Sequence, residues 1–113
     1  MKTLEHIKSE LEFLKPILRE RFNVKTMEIF GSYARNQASE KSDIDLLITY
    51  TTKNYDHSTV YALKKYLGRK LEIKVDVVTK DFLNPNIKDQ VLKEAVPVWA
   101  KTKLETLHFT LNK

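Results

Sequence analysis

The 113-residue sequence has no cysteine, only two glycines and three prolines, and no long apolar run. Without cysteine there is no disulfide, no thiolate nucleophile and no cysteine-ligated metal, a usage that suits an intracellular, cytoplasmic protein. No segment approaches the roughly 20 apolar residues that cross a bilayer. The opening MKTLEHIKSE carries too much charge for a secretory signal. No membrane partner is expected. What is present is 42% hydrophobic and 31% charged, the balance of a globular chain rather than a disordered one. The length allows one compact domain with a modest core and excludes a second full domain. Twenty Lys and Arg against fifteen Asp and Glu give a net charge of +5. Such an excess favours nucleotides, nucleic acid or an acidic protein surface, although small domains also carry it without any anionic partner.

Leu4, Ile7, Leu11, Leu14 and Leu18 recur at spacings of three and four, which predicts an amphipathic helix over residues 4–21. Pro16 either kinks it or opens a second short helix. A strand is expected over Lys25–Phe30, ending at Gly31, and NQASEKS at 36–42 reads as a polar loop. Ile44–Tyr50 reads as a strand buried on both faces, because Leu46, Leu47 and Ile48 are consecutive. After the connector TTKNYDHS, a helix over about 58–67 is expected to stop at Gly68. Leu71–Val78 alternates as a strand, with Glu72, Lys74, Asp76 and Val78 on one face. Asn84-Pro85 has the form of a helix start, and Val96–Trp99 reads as a short strand or the end of the fold. Residues 1–99 form the expected domain. Residues 100–113 are a tail that reads as an edge strand, a partner-binding segment or a disordered end. The order α-β-β-α-β-α points to a mixed α/β sheet with flanking helices.

The residues that carry chemistry lie in GSYARNQASEKSDIDLLITY, residues 31–50. Asp43 and Asp45, two apart at the start of a strand, leave the same face. Carboxylates beside a core repel each other and lose hydration. A divalent cation removes both objections, and magnesium takes oxygen from one or two carboxylates together with substrate phosphates. Asp76 joins them if its strand is the neighbour, giving a trio able to hold two metals about 4 Å apart. Gly31 permits a tight turn and close backbone approach, and the following amides with the Ser32 hydroxyl suit phosphate oxygens. Arg35 and Lys41 add positive charge near the same phosphates. Tyr33 either lines the nucleotide site or packs on the turn. Each feature alone has a plainer reading: a turn, surface acids beside Ser42, a solvent-facing strand residue.

Taken together, Gly31-Ser32, ten residues, then Asp43-Ile44-Asp45 resembles the signature of the DNA polymerase beta-like nucleotidyltransferases. VDVV at 75–78 resembles the family's third-acid strand, and NPNIKDQVLKEAV resembles the end of its minimal members, so the similarity spans about 4–99. The resemblance implies the polymerase beta-like nucleotidyltransferase fold. It implies ATP held by Gly31 and Ser32; Tyr33, Arg35, Lys41 and Ser42 are the neighbouring candidates for the same nucleotide site. Asp43 and Asp45 would bind Mg2+, and Asp76 would complete a second ion's site and help activate an acceptor hydroxyl. Asn36 stands where many minimal members have glycine, a substitution that a left-handed backbone tolerates better with asparagine than with most residues. The implied reaction is transfer of AMP, with release of pyrophosphate, to a tyrosine of a helical HEPN-type toxin, which gives this chain the role of antitoxin. Two alternatives stand beside it. The acceptor is RNA or a small molecule, for which GRK at 68–70 and KTK at 101–103 are weak support, or the chain is a non-catalytic neutralising subunit. His6, His57 and His108 have no zinc spacing. Tyr50 and Tyr55 read as turn or surface residues and Trp99 as part of the core.

Overall fold

The computed structural model describes residues 1–53 and 55–99. The expectations for the tail at 100–113 lie outside the described residues.

Helix α1 spans Leu4–Phe22 and buries the predicted stripe of Ile7, Leu11, Leu14, Leu18 and Phe22. Thr3 caps it, its side chain accepting from the His6 amide at 3.1 Å. Asn23 ends it in the left-handed region, with φ 57°. The helix is continuous through Pro16, which sits on the exposed face, where the carbonyl that loses its amide partner is open to solvent. Buried leucines on either side, Leu14 and Leu18, hold the two parts in line.

Strands β1 (Val24–Phe30), β2 (Ile44–Tyr50), β3 (Val75–Thr79) and β4 (Val96–Pro97) form one sheet in the order β3-β2-β1-β4. The β1–β2 and β1–β4 pairs are antiparallel and β2–β3 is parallel. A parallel pair needs a crossover. Helix α2, His57–Leu71, supplies it after Asp56 caps its start by accepting from the Thr59 amide at 2.9 Å.

The sequence expectation for this crossover is corrected on two points. Gly68 does not stop α2, and β3 does not begin at Leu71. Leu63, Leu67 and Leu71 lie four residues apart and are fully buried together, so helical periodicity prevails over the alternation that starts at Leu71. The stop comes at Glu72, whose φ of 57° places it in the left-handed region.

Beyond a single 3-10 turn at Lys80–Phe82, helix α3 spans Pro85–Glu94, with Asn84 accepting from the Asn86 amide and Pro85 in the first turn, as predicted. Ile44, Leu46 and Ile48 of β2 pack against α1 and α2, while Leu47 packs on the other face with Leu83 and Val91. β2 is therefore buried on both faces. Trp99 packs against the main core, with the Lys15 ammonium 5.4 Å from its ring.

Candidate active site

The parallel register of β2 and β3 pairs Asp45 with Asp76, and the antiparallel register with β1 pairs Asp45 with Phe30. Neighbouring strands lie about 4.8 Å apart, so Asp45 stands between Asp76 on one side and the Phe30–Gly31 corner on the other. Asp43 lies two residues upstream on the same face, just before the Ile44 amide donates to the Lys74 carbonyl at 2.9 Å. The acids share the sheet face on which Leu47 packs beneath α3. The adjacency of strands that the sequence left open is thus present.

Gly31 has φ 75°, a left-handed conformation that favours glycine. A methyl group there would overlap Asp45 Oδ2 and lie 3.1 Å from Asp45 Cγ. The absent side chain is what lets the carboxylate lie against the backbone. From Gly31 the chain makes one helical turn: Gly31 O accepts from the Arg35 amide at 3.1 Å and Ser32 O from the Gln37 amide at 2.8 Å. The Ser32 and Tyr33 amides donate to no backbone carbonyl among the described residues, as expected at the start of such a turn. Asn36 closes the turn with φ 59°, so asparagine does adopt the left-handed geometry there.

The remaining candidates divide. Tyr33 is 4% exposed within the main core, so it packs beneath the turn rather than forming an open wall. Arg35 is turned toward α3, pairing with Glu94 at 3.1 Å and with Gln37 at 3.2 Å, yet its charge still reaches Asp45. Lys41 is exposed and its amide donates to Ser39 Oγ, while Ser42 Oγ accepts from the Ser39 amide at 2.8 Å. Lys41 and Ser42 thereby shape the loop leading to Asp43.

Burial raises the Asp45 pKa above the ordinary carboxylate value, and the charges of Asp76 and Asp43 raise it further against an opposing effect from Arg35. Lys64 Nζ lies 3.6 Å from Asp76 Oδ1, and Lys74 Nζ lies 3.7 Å from Asp43 Oδ2. Sequence reasoning missed both lysines. A signal for Lys64 was its place on the stripe Tyr61, Lys64, Lys65, Gly68 of α2; Lys74 was visible as the residue two before Asp76, just ahead of β3. These solvent-facing pairs are worth about 0–1 kcal/mol each, so an incoming cation displaces them at little cost.

The three acids offer hard oxygen donors and an excess of negative charge centred on Asp45, which fits a divalent cation of the magnesium type. Among the described residues no group of three or more His, Cys, Asp or Glu side chains is placed to hold a metal ion on its own. The remaining positions would fall to phosphate oxygens and water, the usual way magnesium is held.

A glycine corner seated on one acid, with a second acid in register and a third two residues upstream, is the arrangement expected of a nucleotidyltransferase. The sequence matches the family described as polymerase beta nucleotidyltransferase across residues 12–104. It is 43% identical over 99 residues to the MJ0128 protein of Methanocaldococcus jannaschii, a candidate protein adenylyltransferase, covering 87% of this chain and 100% of the relative. It is 41% identical over 98 residues to the protein adenylyltransferase MntA of Thermococcus cleftensis, covering 87% and 98%. A solved candidate minimal nucleotidyltransferase superposes with a TM-score of 0.73 at 32% identity, covering 85% of this chain and 96% of that one. The fold is also shared, at TM-score 0.63 and 20% identity over 89% and 78%, with a chain of a Shewanella oneidensis complex between a tri-AMPylated HEPN toxin and its minimal nucleotidyltransferase antitoxin. This chain belongs to the polymerase beta nucleotidyltransferase family, among its minimal members. Among the described residues no helix is long and apolar enough to cross a membrane.

Proposed function

We propose that this chain transfers AMP from ATP to a tyrosine hydroxyl of a helical HEPN-type protein, and so acts as an antitoxin. The observation that carries the proposal is the seating of Asp45 between Gly31 and Asp76. A corner able to admit phosphates, lying against charges able to manage them, is what supports the reading. The relatives support the choice of acceptor class, since two carry protein adenylyltransferase names and one neighbour in fold is complexed with an AMPylated toxin.

In this reading Gly31, Ser32 and the free amides at the start of the turn hold the triphosphate, with Arg35 reorienting from Glu94 to add charge. Asp43 and Asp45 would hold one magnesium ion and Asp76 would share a second; when bound, these ions neutralise charge on the reacting phosphate and pyrophosphate oxygens. The acceptor oxygen bonds to the α-phosphorus as the bond from that phosphorus to the bridging oxygen breaks, and pyrophosphate leaves. The hydroxyl proton passes to the Asp76 carboxylate, which is open to solvent on the edge strand.

Intact-mass analysis of the HEPN-type partner, purified with this chain and incubated with ATP and magnesium, tests the proposal. A gain of about 329 Da per transferred unit, absent with Asp43→Asn, is the expected result. An unmodified partner in a stable complex overturns it in favour of a non-catalytic neutralising subunit.

A further inference from the structure

Beside the acids, between α2 and the edge strand β3, runs an open groove of about 550 Å³. Its lining includes Tyr61, Lys64, Lys65, Gly68, Arg69 and Lys74. Four cations therefore face it against one acid, Glu72. The groove borders the candidate active site, because Lys64 and Lys74 of its lining are also the residues paired with Asp76 and Asp43. Lys65 and Arg69 have no carboxylate partner among the described residues. Tyr61 is 59% exposed, with the Lys65 ammonium 5.5 Å from its ring.

Gly68 supplies an independent observation. It lies inside α2, where glycine is less favourable than alanine. Its φ is not left-handed, and a methyl group added there would meet only the Ile73 carbonyl at 3.7 Å, an ordinary contact. Neither the backbone nor the packing requires glycine at this position. What its missing side chain does provide is depth in the groove.

We propose that this groove binds an acidic segment of the acceptor protein next to the hydroxyl that is modified, so that Lys64, Lys65, Arg69 and Lys74 select the acceptor. The proposal deepens the adenylyl-transfer reading and rests on it for the acceptor's identity. Charge complementarity sets the sign of the segment, and the pairing of Lys64 and Lys74 with Asp76 and Asp43 sets its place beside the reacting groups. Lys65 and Arg69 are specificity residues here, remote from the transferred phosphate.

The test uses the full chain and two short fluorescent peptides, each with a single tyrosine. One peptide flanks the tyrosine with glutamates, and the other has glutamine at those positions. Binding is measured by anisotropy at low salt without ATP or magnesium. The acidic peptide is expected to bind about tenfold more tightly. The double variant Lys65→Gln/Arg69→Gln should abolish that preference, and Gly68→Leu should weaken binding by filling the groove. The remote double variant Lys8→Gln/Lys25→Gln, which removes the same charge, should retain it. Equal binding of the two peptides, or equal loss in the groove and remote variants, overturns the proposal. So does tighter, groove-dependent binding of single-stranded RNA, which would make nucleic acid the occupant. Transfer is then assayed separately with ATP and magnesium. Groove-dependent peptide binding without AMP transfer to peptide or HEPN-type partner removes the enzymatic reading and leaves the groove; transfer without charge preference does the reverse.

Discussion

Gly31 and Asp45 are coupled by contact, and that coupling makes separable predictions. Gly31→Ala is strained twice, by a left-handed backbone, worth about 1–2 kcal/mol, and by overlap with the Asp45 carboxylate. Urea denaturation should show a larger loss for Gly31→Ala in the native background than in an Asp45→Ala background, where only the backbone strain is left. Equal losses would mean the carboxylate moves aside freely. Asp45 makes a second prediction through its raised pKa. A carboxylate whose folded pKa exceeds its unfolded value binds its proton more tightly when folded. Its favourable contribution is full below the ordinary carboxylate value and lost as pH rises through the folded value. Metal-free Asp45→Asn should therefore melt higher than the native chain at pH 7, the gain shrinking as pH falls through the raised folded value and vanishing below the ordinary carboxylate value of about 4. Magnesium should raise the melting temperature of the native chain and not of the variant. A variant that melts lower at neutral pH without metal would reject the electrostatic account. The paired acids themselves were legible in the sequence, because a spacing of two at a strand start fixes a common face. The contact that demands glycine at 31 was not, since it depends on where a neighbouring strand places a side chain.

At the scale of elements, the legible parts were those with one dominant periodicity. The α1 stripe and the doubly buried β2 were read correctly, and Asn84-Pro85 marked the start of α3 by its local chemistry. The α2–β3 boundary was misread because LGRKLEIKVDVV satisfies two periods at once: Leu67 and Leu71 fit a helix, while Leu71, Ile73 and Val75 fit a strand. Burial settles the competition, with Leu71 fully enclosed in the α2 face. Gly68 then lies within a helix, where replacing glycine by alanine removes backbone freedom from the unfolded chain. Gly68→Ala is expected to raise stability by about 0.5–1 kcal/mol, measured as a higher urea midpoint with an unchanged slope. A destabilised variant would mean that the helix needs glycine for its own geometry, and the groove would lose its argument from space.

For the whole molecule, the site depends on an order of strands that no local pattern specifies. Asp45 and Asp76 are separated in sequence by all of α2, and only the packing of that helix brings β3 into parallel register beside β2. The other edge is set as late in the chain: β4 pairs with β1 through Val96 and Pro97, and the Val98 amide donates to the Met27 carbonyl at 2.9 Å. Val98 is 1% exposed in the same core cluster as α1, and Trp99 packs against it. A fold whose closing contacts are made at 96–99 should form without residues 100–113. A chain ending at Trp99 is expected to unfold in a single transition at the midpoint of the full-length protein. A chain ending at Ala95 loses the β4 pairing and leaves Met27 and Ile29 without their cover. Burying a side chain the size of valine is worth about 1.5–3 kcal/mol, a large part of the 5–15 kcal/mol typical of a domain. The shorter chain should therefore show a markedly lower midpoint or no cooperative transition. If the chain ending at Trp99 were equally destabilised, the folding unit would extend past residue 99 and the acids would owe their register to more than the four strands.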